Sequence, residues 1–292
     1  MPPKRDYKGN TKFNTPKVLV VRNEYTPMFE RFRDELDEHH DRRERIVKAS
    51  RDITALSKKI IFALQRVRKI QGDLPGNIEK ETQSRLLEIS RLLSTIAPDV
   101  QGINRYRYSR SLMCIEELIE ALTFAQYMRT QGLMGYDEAV DKVAKLSRYV
   151  DEMEVDVGDS PHPSAPTALN SQSVVHVTED DYLGGVFDLS GELMRFATTS
   201  AALTGKMAGG ASATTTTDGR ERTIVVDVQD LGSFFEMLPQ QYHKGYQNKL
   251  ETLRTSVLKV EKLGYGLTVR GSERPAGWMP DEADDRPVGD DE

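Results

Sequence analysis

Between Pro27 and Gly72 the sequence contains no residue that would break a helix. Thr26-Pro27 supplies a start, a hydroxyl cap followed by proline at the first helical position. Gly72 and Pro75-Gly76 supply the stop. Phe32, His39, Ile46, Ile53, Ile60 and Val67 recur every seven residues, and Phe29, Leu36, Arg43, Ser50, Ser57 and Leu64 fill a companion seam. The middle of this run is too polar for a stable lone coiled coil. A helix over 26–70 that lies across several others in a bundle satisfies the pattern.

The other segments have the same character. Apolar residues at three- and four-residue steps predict helices over 77–96, 99–130, 136–150, 178–203 and 242–267. The segment 223–238 is expected to begin extended, as TIVVDV, and to turn helical from Asp230. Gly132 and Gly135 close the third helix, and Thr178, with Glu179-Asp180-Asp181 behind it, caps the helix that follows the long linker. The fold class is therefore all-α, a bundle of six or seven helices with a long N-terminal helix and no internal repeat. A flexible basic arm is expected over 1–25 and a helical domain over 26–272. Within that domain lie a flexible linker, 151–177, rich in Asp, Gly, Pro and Ser, and a low-complexity insert, 205–222. An acidic disordered tail follows over 273–292.

Charge is unevenly spread. Residues 1–72 hold eighteen Lys and Arg against ten Asp and Glu, while Asp281–Glu292 holds seven acids and one arginine. The overall charge of −6 thus belongs to the tail, and the basic N-terminal third is compatible with a phosphate-bearing partner. No apolar run approaches the length of a membrane span, and the N-terminus lacks the apolar core of a secretory signal. The single cysteine, Cys114, excludes an internal disulfide and a cysteine-based zinc site. It fits a reducing compartment, and a cytoplasmic and nuclear location is expected.

The chemistry concentrates on two helices. In CIEELIEALTFAQYM, Leu112, Ile115, Leu118, Ile119, Leu122 and Ala125 make an apolar face, and Glu117 and Glu120 lie on the other side, about 60° apart. Met113 and Phe124 flank that pair, so the glutamates are expected to press against a second surface. In the second helix Asp188 and Glu192, four apart, share a face. Three or four carboxylates converging in a partly buried site would not all stay ionised unaided; they would protonate, pair with Lys or Arg, or bind a hard cation such as Mg²⁺ or Mn²⁺. Spacing alone leaves an ordinary solvated pair the commoner reading of Glu117 and Glu120, because two glutamates three apart are frequent on helices.

Arg105, Arg107 and Arg110 alternate with tyrosines, an arrangement that can hold phosphates and stack on bases and equally one in which tyrosines pack while arginines face water. Arg195 falls near the Asp188 stripe and has two readings of equal weight, contact with a phosphate or a pair with Glu192. A ferritin-like di-metal site requires Glu-x-x-His on two helices; Glu117 is followed at the third place by Glu120, and Asp188 by Gly191, so that class is excluded.

Four segments, Asp37–Arg66, Glu116–Met128, DYLGGVFDLSGELMR at Asp181–Arg195 and KVEKLGYGLTVRGSERP at Lys259–Pro275, together resemble the translin-associated factor X family, the partners of translin. The resemblance covers most of the helical core and leaves out the linker, the insert and both tails. It implies a seven-helix translin-like bundle, assembly with translin into a hollow hetero-octamer, and Mg²⁺-dependent endoribonuclease activity on RNA. It also implies that Glu117, Glu120 and Asp188 are catalytic carboxylates and metal ligands, with Glu192 as a fourth ligand. The implied substrates are passenger strands of small-RNA duplexes or fragments of transfer-RNA precursors. The rival reading is a non-enzymatic RNA-binding or scaffold partner of translin.

Overall fold

The computed structural model describes residues 23–70, 72–148, 173–209, 222–239 and 244–270. Among them are eight α-helices: α1 Thr26–Leu64, α2 Gly76–Ile96, α3 Ile103–Arg107, α4 Cys114–Thr130, α5 Tyr136–Ser147, α6 Glu179–Thr204, α7 Ile224–Met237 and α8 Lys244–Arg270. No strand occurs among the described residues, only one isolated bridge between Gly209 and Thr223. The all-α expectation holds. The expected basic arm up to 22, the linker over 151–172, the insert over 210–221 and the acidic tail lie outside the described residues.

The chain divides into two units at Arg42. The described part of the first unit is the beginning of α1. Its cap is Asn23 rather than Thr26: the Asn23 carboxamide oxygen accepts from the Tyr25 and Thr26 amides, both at 3.0 Å. Phe29 and Phe32 stack edge to face at 6.1 Å and, with Leu36, are exposed.

In the second unit the heptad seam turns inward. Ile46, Ile53, Ile60 and Leu64 are buried, and Ser50 and Ser57 are buried with them. The helix ends at Leu64, six residues before its expected end, because the chain bends there to bury Val67, Ile70 and Leu74. The expected third helix is broken. Gly102, at φ 57°, interrupts it after a short 3₁₀ turn, leaving the single-turn α3, a second 3₁₀ turn and then α4. α4 closes at Gln131 rather than at a glycine. That residue takes a left-handed φ of 53° and is held there by hydrogen bonds from its side chain to Asp227 and to the Arg222 carbonyl, both at 2.9 Å.

α7 is helical from Ile224, not extended. Its β-branched start is overridden by burial of Ile224, Val228, Leu231 and Phe235, one face at helical spacing. α6 is the hub, packing against α4, α7 and α8. Its N-terminus is the expected one, and the cap is a full capping box: Thr178 accepts from the Asp181 amide, and the Asp181 carboxylate accepts from the Thr178 amide.

The ends of both expected interruptions are packed. Val175 and Val177 are buried, and the carbonyls of Val174, His176 and Val177 accept hydrogen bonds from Gln101, Arg105 and Tyr136. The Ile224 amide donates to the Ala208 carbonyl at 2.8 Å, next to the Gly209–Thr223 bridge. Residues 173–177, 206–209 and 222 therefore belong to the fold rather than to flexible segments.

Candidate active site

The packing of α4 on α6 brings the four carboxylates to one place. Gly184 and Gly185 allow it. A Cβ on Gly185 would lie 2.6 Å from the Glu116 carbonyl oxygen and 2.8 Å from Ile119, so only a residue without a side chain lets the two helices approach this closely. One and two turns further along α6, Asp188 and Glu192 meet Glu117 and Glu120 of α4 in a cleft of about 480 Å³. Lys58, Ile61 and Phe62 of α1 form one wall with Gln65, just past the end of that helix. Phe187, Gly191 and Arg195 complete the α6 wall, and Asn248, Lys249 and Thr252 come from α8.

Glu120 and Glu192 are 8% and 9% exposed, unusual for glutamates without full pairing. Burial and the neighbouring Asp188, Glu117 and Glu192 push the Glu120 carboxyl up to about 8, with Lys249 opposing. Burial likewise raises Glu117; Lys58, 3.7 Å away, opposes that shift, and Asp188 and Glu192 add to it. The Lys249 ammonium donates to Asp188 Oδ2 at 2.8 Å, to Glu116 Oε2 at 2.9 Å and to the Gly184 carbonyl at 3.0 Å. Three acceptors use all three ammonium protons. Burial lowers the Lys249 pKa, but the bonds and charge interactions with Asp188 and Glu116 carry it above its ordinary value. Gln65 donates to Glu192 Oε2, and Arg195 stands 3.5 Å from Glu192 Oε1, so the pairing reading of Arg195 is the one this structure displays.

A hard divalent cation is chemically suited to this donor set, which is all oxygen and places four carboxyl groups in one cleft. Among the described residues, however, no three His, Cys, Asp or Glu side chains already converge as a ligand cluster. Lys58 and Lys249 stand among the acids instead.

The sequence-derived residues divide. Glu117, Glu120, Asp188, Glu192 and Arg195 share the cleft. Arg105 does not face RNA or water: it is 3% exposed, ion-paired to Asp181, with its Nε donating to the His176 carbonyl at 2.7 Å. Its role is to fasten the start of α6, and the physical reason is the cost of leaving a buried guanidinium or its carboxylate partner unpaired. Arg107 and Arg110 are exposed and are not among the residues lining the cleft. Met113, expected to flank the glutamates on one helical stripe, precedes α4 and is exposed, whereas Phe124 is fully buried. Cys114 is core, its thiol pushed up to about 11 by burial. Sequence reasoning missed Lys249, Lys58, Gln65 and Glu116. Only Glu116 carried a local signal, its place beside Glu117 on a helix face turned toward Gly184.

Residues 41–271 match the model of the translin family. The chain belongs to the translin family. Over 255 residues it is 32% identical to the translin-associated protein X of Pongo abelii, an alignment covering 87% of this chain and 81% of that protein. The Rattus norvegicus protein of the same name is 32% identical over 258 residues, with the same coverage. The Schizosaccharomyces pombe homolog of that protein is 23% identical over 245 residues, covering 83% and 88%. Among solved structures, the crystal structure of apo-NeC3PO superposes with a TM-score of 0.53 at 14% identity, covering 82% of this chain and 97% of that one. That likeness supports the translin-like fold. No helix among the described residues is long and apolar enough to cross a membrane.

Proposed function

We propose that this translin-family chain is the catalytic subunit of a translin-containing, Mg²⁺-dependent endoribonuclease. The observation that carries the reading is the cleft that Glu117, Glu120, Asp188 and Glu192 line from two helices, where burial first and the neighbouring acids second push Glu120 up to about 8. Lys58, Lys249 and Arg195 offset part of that charge, and a bound divalent cation would offset the remainder. Mg²⁺, or Mn²⁺ in its place, would be held by these four residues and would supply a Lewis acid that lowers the pKa of a water and offsets charge on the phosphate. Lys249 keeps Asp188 oriented by tying it to Glu116 and the Gly184 carbonyl. Gln65 fixes Glu192 in the same way. Arg195, on the rim beside Glu192, and Lys58, beside Glu117, are the cations available to a phosphate entering the cleft.

The substrate class is RNA with unpaired segments, including small-RNA passenger strands and transfer-RNA precursor fragments. The partner is translin, in a hetero-oligomer of eight subunits, whose walls would supply the phosphate contacts that this cleft alone does not. The test is cleavage of single-stranded RNA by the chain mixed with translin, with and without EDTA. Cleavage that depends on Mg²⁺ and on Glu117 supports the reading. Equal RNA binding with no cleavage under any metal would establish the non-enzymatic alternative, in which Lys58 and Lys249 neutralise a merely structural acid cluster.

A further inference from the structure

Phe62 stands apart from its surroundings. Its chain neighbours Ile60, Ile61, Ala63 and Leu64 are 4% exposed or less, while Phe62 is 59% exposed. A single exposed phenylalanine is ordinary on a protein surface. This one lines the carboxylate cleft, with Lys58 one turn before it in α1 and Gln65 three residues after it, just past the end of that helix. Gly191, on the α6 wall between Asp188 and Glu192, points the same way. A Cβ there would meet nothing within 4 Å, so packing does not require the glycine, unlike Gly184 and Gly185. A glycine inside a helix disfavours that helix relative to alanine. Its missing side chain leaves open space on that wall.

We infer that Phe62 is a base-stacking residue: an unpaired nucleobase lies against its ring, and the adjoining phosphodiester is the one presented to the carboxylates. The inference rests on the nuclease reading of the cleft and adds the substrate contact which that reading lacks. Every base has a π-face, so stacking on Phe62 tolerates any sequence. It does not tolerate a paired base, whose faces are covered by its neighbours in the helix. Selection at this position is therefore for strand state rather than for sequence. Lys58 and Arg195, both on the cleft wall, are the cations within reach of the flanking phosphates. A protein helix laid over Phe62 would instead seal the acids from substrate, which sets a nucleobase ahead of a partner subunit as occupant.

The test uses the full chain bound to translin and a single-stranded RNA carrying one 2-aminopurine, titrated in EDTA so that nothing is cut. Binding should quench the fluorophore. Phe62→Ala should remove the quench and weaken binding by about 5- to 150-fold, the range of one base–aromatic stack at 1.4 kcal/mol per tenfold. Phe62→Trp should retain both, and affinity for fully paired RNA should not change. With Mg²⁺ present, Phe62→Ala should raise KM and leave kcat nearly unaltered, the mark of binding made equally in ground and transition states. Equal quench and affinity in wild type and Phe62→Ala, or no RNA binding by the wild-type complex, overturns the assignment. So does a Phe62→Ala complex of altered size by light scattering, which would place a partner subunit on the ring. A quench that depends on Phe62 in a complex that never cleaves would keep the stacking site and defeat the nuclease reading.

Discussion

The cleft between α7 and α8 is larger than the one between α4 and α6, about 650 Å³ against about 480 Å³, and it too contains acids. Its walls carry Glu236 and Glu261. There the charges are settled. Arg254 holds Glu236 through two hydrogen bonds, at 2.6 and 2.9 Å, and Gln229 donates to Glu261 at 2.6 Å. The bonds from Arg254 keep the Glu236 carboxyl below the usual carboxylate range. In the smaller cleft the shift has the opposite sign: burial, with Asp188, Glu117 and Glu192 adding to it, raises the Glu120 carboxyl to about 8. Size and acid content do not distinguish a site from a crevice. Partly buried carboxyls raised above their ordinary range do.

The comparison can be broken first at the level of chemistry. Glu120→Gln or Asp188→Asn should lower Mg²⁺-dependent RNA cleavage by the translin complex more than about 100-fold, beyond the 10–100-fold typical of losing an outer partner of a metal site. Glu236→Gln should leave it unchanged. A comparable loss from Glu236→Gln would show that the two clefts do not differ in the way argued.

The second contrast is in pH dependence. A carboxyl whose folded pKa lies above its unfolded value keeps its proton in the native state after the unfolded chain has lost it. Its contribution to stability is therefore full below the ordinary value of 4.5 and falls as pH rises toward 8, by about 1.4 kcal/mol per pH unit. In EDTA, the melting temperature of the full chain should fall between pH 5 and 8. Glu120→Gln should flatten that fall, and Mg²⁺ should raise the melting temperature most at the alkaline end. For Glu236, whose pKa is depressed, the sign reverses and the effect belongs to pH below 4.5. Identical melting profiles for wild type and Glu120→Gln would remove the charge argument.

The glycines supply the smallest effects. Gly185→Ala should cost about 1–3 kcal/mol by overpacking against the Glu116 backbone. Gly232→Ala should act similarly in the other cleft, where its Cβ would lie 2.9 Å from Val257. Gly191→Ala should stabilise the protein by up to about 1 kcal/mol, since its Cβ meets nothing. Denaturant midpoints of the three variants check the order, and a Gly191→Ala variant less stable than wild type would show that the residue packs after all.

Much of this arrangement was legible in the sequence because it obeys local rules. The Thr178 cap, the apolar face of α4 and the shared faces of Glu117 with Glu120 and of Asp188 with Glu192 need only helical periodicity. Where periodicity competed with residue preference, preference misled. TIVVDV reads as extended, yet Ile224, Val228, Leu231 and Phe235 repeat at four, three and four residues and fold as a helix. Arg105 misled for another reason. In a one-turn helix it points inward with Tyr108, while Tyr106 and Arg107 point outward, and its partner Asp181 lies 76 residues away. Lys249 is 61 residues from Asp188 and 133 from Glu116. No spacing rule joins such residues; only the packing of α4, α6 and α8 does.

Ser147 and Val175 have one more consequence. They are 28 residues apart in the chain, yet the Val175 amide donates to Ser147 Oγ at 3.2 Å, while that hydroxyl donates to the Val143 carbonyl at 2.8 Å. The antiparallel bridge from Gly209 to Thr223 does the same at another place. At each neck the two strands of chain entering and leaving are already sewn together by the folded body. Because the folded body holds these ends, doubling the length of the connection between them adds only about 0.6 kcal/mol. These two necks are therefore natural grafting points. A fluorescent domain or an affinity handle spliced into either should leave the carboxylate cleft as it is.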